Sequence, residues 1–67
     1  MDEVIQTTLN RAAALLAEAA DHLRETLADA GKDENMTRGG TEYALGSARR
    51  AMALMEACRT LQDEAGA

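Results

Sequence analysis

Glu18, His22 and Glu25 are the residues of this chain best spaced for chemistry. Separations of four and three residues bring their side chains to one side of a helix. Carboxylates and a histidine so placed can ligate a divalent cation, as in di-iron helical bundles. Asp21 and Asp29 extend the same acidic stripe. Metal sites of that kind point into a bundle, whereas the hydrophobic repeat derived below turns Glu18 and Glu25 outward and leaves His22 on a flank. A solvated acidic face is therefore expected, with metal binding by Glu18, His22 and Glu25 as an alternative, and no cofactor is assigned.

The single cysteine, Cys58, has no histidine within one turn in sequence. At a core position a thiol packs as a small hydrophobe and is inert. No glycine loop has the strand and Lys-Ser/Thr context that cradles phosphate, and no serine pairs with a histidine. No catalytic residue is assigned, and the chain is not expected to be an enzyme.

Arg49 and Arg50, with Arg38 and Arg59 nearby, make the second half the basic side of a chain whose net charge is −5. Tyr43 lies one heptad before Arg50. Tyrosine and arginine are enriched at binding hot spots, and methionine adapts to irregular surfaces. Tyr43, Arg49, Arg50 and Met52 form the candidate partner-binding patch. Leu45 and Met52 would offer a groove to a partner helix if left uncovered.

The elements that must position these residues follow from composition. The chain has 67 residues, no proline, one tyrosine as its only Phe, Trp or Tyr residue, and an apolar content dominated by alanine. Such a composition favours helix almost throughout. The break falls at residues 31–40, which hold Gly31, Gly39 and Gly40 and a single large apolar residue, Met36. Two helices are expected, about 2–30 and about 41–64, with Thr41 as N-cap of the second. Thr37 is an alternative cap if the helix tolerates Gly39 and Gly40.

In the first helix Leu9, Leu16 and Leu23 occupy heptad position a, and Ala12, Ala19 and Thr26 occupy d. In the second, Ala44, Ala51 and Cys58 take a, while Ser47, Leu54 and Leu61 take d. With residues 31–40 as the loop, an antiparallel fold brings Leu9 to Leu61, Leu16 to Leu54, Ala12 to Cys58 and Ala19 to Ala51. The fold class expected is an all-α antiparallel helical hairpin forming a single domain over residues 1–67.

Leu15, Leu27, Leu45, Ala48, Met52 and Met55 widen the apolar arcs beyond what one neighbouring helix covers. A chain of this size needs disulfides, metal or self-association to stabilise so small a core, and one cysteine offers no internal disulfide. Pairing of two hairpins into a homodimeric four-helix bundle is expected. Its core and dimer residues are Leu9, Ala12, Leu16, Ala19, Leu23, Ala51, Leu54, Met55, Cys58 and Leu61.

In length and layout the chain resembles Rop-type RNA-binding hairpin dimers. Those proteins read RNA with a basic, aromatic-bearing first helix, whereas the first helix here has no Phe, Trp or Tyr, only two arginines, Arg11 and Arg24, and a carboxylate stripe instead. Nucleic acid is therefore not the expected partner, and the alternatives in that class are Rop-like binding or acidic mimicry of DNA. The segment Tyr43-Ala44-Leu45 to Ala53-Leu54, continuing to Cys58-Arg59, resembles the second helix of short two-helix accessory proteins from pseudomonads and their phages. Some of these are homodimeric inhibitors of host regulators, such as quorum-sensing anti-activators. That resemblance implies a small regulator that binds itself and another protein. The lone thiol and the lack of a membrane span or signal-peptide layout point to the cytoplasm.

Overall fold

A computed structural model describes residues 2–66. They form two helices and no strand, α1 (Glu3–Asp29) and α2 (Glu34–Gly66), packed as an antiparallel hairpin about 52 Å long. Neither helix is long and apolar enough to cross a membrane.

Asp2 caps α1, its carboxylate accepting the Val4 N–H at 2.7 Å, and Glu3 places a second negative charge on the first turn. A carboxylate here satisfies a helix-end donor and sits favourably in the field of the peptide dipoles. The helix closes at Ala30, whose N–H donates to the Leu27 carbonyl, and the chain turns through Gly31 at φ +89°. That backbone region is open to glycine at little cost.

The second helix starts at Glu34 rather than Thr41. Asp33 is its cap, with Oδ1 accepting the N–H groups of Asn35 at 2.9 Å and Met36 at 3.3 Å. Residues 34–40, expected in the loop, are helical, and the connection shrinks to residues 30–33. Gly39 and Gly40 each carry a helix-propensity penalty of about 1 kcal/mol relative to alanine. At Gly40 the reason is close packing: a Cβ there would fall 3.2 Å from the Cβ of Thr26 and closer still to its hydroxyl.

The shorter connection moves the register by one heptad. The Cys58 thiol lies 3.9 Å from the Ile5 carbonyl, Gly40 abuts Thr26, and Ala19 shares a groove with Ala44. Continuing that spacing sets Ala12 opposite Ala51. The expected pairs Leu9–Leu61, Leu16–Leu54, Ala12–Cys58 and Ala19–Ala51 are thus replaced, because they assumed a turn centred several residues later.

The buried seam consists of Ile5, Ala12, Ala19, Ala44, Ser47, Ala51 and Cys58, with Ala51 at 0% exposure. Small side chains let the backbones approach closely, and that approach pushes the leucines aside. Leu9 and Leu54 are half-buried, whereas Leu16, Leu23, Met55 and Leu61 are exposed.

Candidate functional site

Two flanks border the seam, and each draws on both helices. On the first, position g of α1 (Leu15, His22) and position c (Arg11, Glu18, Glu25) neighbour position g of α2 (Tyr43, Arg50). The Tyr43 hydroxyl donates to Glu18 Oε1 at 2.7 Å, tying the helices together. The Tyr43 ring also lies against His22, with centroids 4.0 Å apart and planes tilted by 42°. The hydrogen bond to Glu18 and that carboxylate's charge raise the Tyr43 pKa above its ordinary value; partial desolvation adds to the shift and the Arg50 charge opposes it.

The expected acidic stripe is present but divided among local partners. Glu18 is engaged by Tyr43, and Asp21 holds Arg24 at 2.8 Å. His22 Nδ1 and Glu25 Oε2 stand 3.9 Å apart, beyond hydrogen-bond length. Among the described residues no group of three His, Cys, Asp or Glu side chains is placed to hold a metal ion.

The other flank is apolar. Ala19 and Leu23 of α1 form a groove with Thr41, Ala44, Leu45 and Ala48 of α2. The heptad extends this surface along α1 through Leu16, Ala20 and Leu27, and along α2 through Met52 and Met55. Leu16, Leu23, Leu27, Leu45, Met52 and Met55 are all exposed, Leu23 at 45% and Met52 at 55%. No charged residue occupies the two inner rows of this flank between Leu9 and Leu27 or between Thr41 and Met55.

The candidate partner patch is therefore split. Tyr43 and Arg50 share the polar flank, Leu45 and Met52 share the apolar one, and Arg49 projects from the outer side of α2, exposed. Cys58 is buried in the seam near the Ile5 carbonyl. The tie between Tyr43 and Glu18 was missed by sequence reasoning. Its signal was their positions, g and c, which approach one another across an antiparallel pair in the observed register.

The fold and its surfaces define an all-α helical hairpin with one polar and one apolar flank. The main surface depressions are open grooves rather than enclosed cavities. Compared with known protein families, curated proteins and solved structures, the chain matches none.

Proposed function

We propose that this chain is a non-catalytic, homodimeric protein-interaction module that binds and regulates another protein. The observation that carries the reading is the uncovered apolar flank built from Leu16, Leu23, Leu27, Leu45, Met52 and Met55. Exposed apolar surface in one continuous face marks a site of association. The polar flank suits a regulated protein, since Tyr43 and Arg50 combine an aromatic body, hydrogen-bonding groups and positive charge. The resemblance of residues 43–59 to the second helix of short two-helix accessory proteins from pseudomonads and their phages, some of which are homodimeric inhibitors, fits a role in inhibiting a regulator.

The test is affinity capture with the intact protein. A stoichiometric complex that is weakened by Tyr43→Ala or Arg50→Glu, and unchanged by His22→Ala, supports this reading. A complex indifferent to Tyr43 and Arg50 contradicts it, as does a catalytic turnover found in the purified protein.

A further inference from the structure

We infer that the apolar flank is the dimer interface, covered by the same flank of a second copy, so that the polar flank of each copy faces outward. The inference rests on the homodimer reading above and assigns the face that makes it.

The first argument is the core. Among the described residues Ile5 is the only buried one larger than cysteine, and the rest of the seam is alanine, serine and Cys58. Such a seam removes little apolar surface from water, while six large side chains on one flank remain exposed. Burying a large apolar side chain fully contributes roughly 1.5–3 kcal/mol. The strongest stabilisation still open to the chain therefore lies on that flank.

Size agrees. From Leu9 to Leu27 the apolar stretch spans about 27 Å, and two helices side by side present about 20 Å of width. Two copies meeting over this stretch bury about 1,000 Å², the lower bound for a specific interface. Contact along the whole 52 Å hairpin would approach about 2,000 Å². A surface two helices wide is matched by another two-helix surface, whereas a single docked helix would leave part of it wet.

Charge selects the same face. Each copy carries a net charge of −5, so two copies repel unless their carboxylates stay apart. The inner rows of the apolar flank hold none. Its outer edges carry both signs, with Arg24 along α1 and Glu42, Arg49 and Glu56 along α2. The opposite flank would take Arg11, Glu18, Glu25 and Arg50, all in rows beside the seam, out of water, and removing charges from water is costly.

Sedimentation equilibrium on the wild type and three variants tests the assignment, with circular dichroism reporting the fold. The wild type is expected at twice the 7.1 kDa chain mass. Leu23→Glu and Met52→Gln are expected to weaken the dimer at least tenfold, and Arg11→Glu on the polar flank to leave it within twofold. Met52→Gln keeps a good helix former at an exposed position, so it serves as the test if Leu23→Glu does not fold. A wild-type dimer that Met52→Gln does not weaken overturns the choice of face and leaves the homodimer reading standing. A folded wild-type monomer at micromolar concentration overturns both.

Discussion

The two flanks of the seam are built from the same pair of helices and differ in chemistry. On one, Tyr43 reaches across to Glu18 and stacks on His22, so the helices are joined by polar contacts that stay open to water. On the other, Leu16, Leu23, Leu45 and Met52 stand exposed around an apolar groove. Both flanks result from the small residues between them. Alanines in the seam bring the helices close and leave no room for the a-position leucines, which spread to the side. The polar flank is tied together within one copy by Tyr43, whereas the large side chains of the apolar flank stand uncovered.

Perturbing the shared seam disturbs both flanks at once. Ala51→Leu adds a large side chain at a site with no exposure and is expected to cost about 3 kcal/mol or more, since overpacking forces backbone shifts. Urea unfolding measures it; a change below 1 kcal/mol would mean that the close approach does not hold the hairpin together.

The adjacent glycines give a sharper test. Gly40→Ala is expected to destabilise by about 1–2 kcal/mol because the new methyl meets Thr26, whose hydroxyl is fixed on the His22 carbonyl. Gly39→Ala meets nothing within 4 Å and is expected to stabilise by up to about 1 kcal/mol. Opposite signs at neighbouring residues support the observed register, and equal signs contradict it.

A smaller gain is expected at Ser47, which is fully buried with no partner for its hydroxyl among the described residues. Ser47→Ala removes that unsatisfied group and should raise stability by about 0.5–1 kcal/mol. A loss of that size would show the hydroxyl to be satisfied.

The smallest effect lies on the polar flank. Tyr43 is the sole tyrosine, so phenolate absorbance follows it directly. Its pKa is raised in the folded protein. The contribution of its contact with Glu18 to stability is therefore fully present below the unfolded tyrosine pKa of about 10 and is lost as pH rises through the higher folded value. Glu18→Gln should bring the absorbance midpoint back toward the ordinary value. An unmoved midpoint would show that the carboxylate does not govern the phenol.

Much of this arrangement was legible in the sequence. The 3–4 spacing from Ile5 to Leu23 and the alanine-rich a positions of α2 point to two helices with a close seam. The register was misplaced because Gly39 and Gly40 read as helix breakers. Their backbone entropy argues for a loop, but tertiary contact with Thr26 favours glycine inside the helix. Asp33-Glu34 repeats the Asp2-Glu3 signature that opens α1, and it marked the true start. The site was less legible: heptad positions put Tyr43 and Met52 on one helix, while the separation of the flanks depends on which rows the first helix covers.

Methionine oxidation reports on cover over the apolar flank in the unaltered wild-type protein. In a single copy Met52 and Met36 are similarly exposed, at 55% and 61%, with Met52 on the apolar flank and Met36 one heptad before Tyr43. Dilute peroxide with peptide mass spectrometry should show Met52 oxidising several-fold more slowly than Met36 at high protein concentration, with the two rates converging on dilution. Equal rates at every concentration would contradict a covered apolar flank.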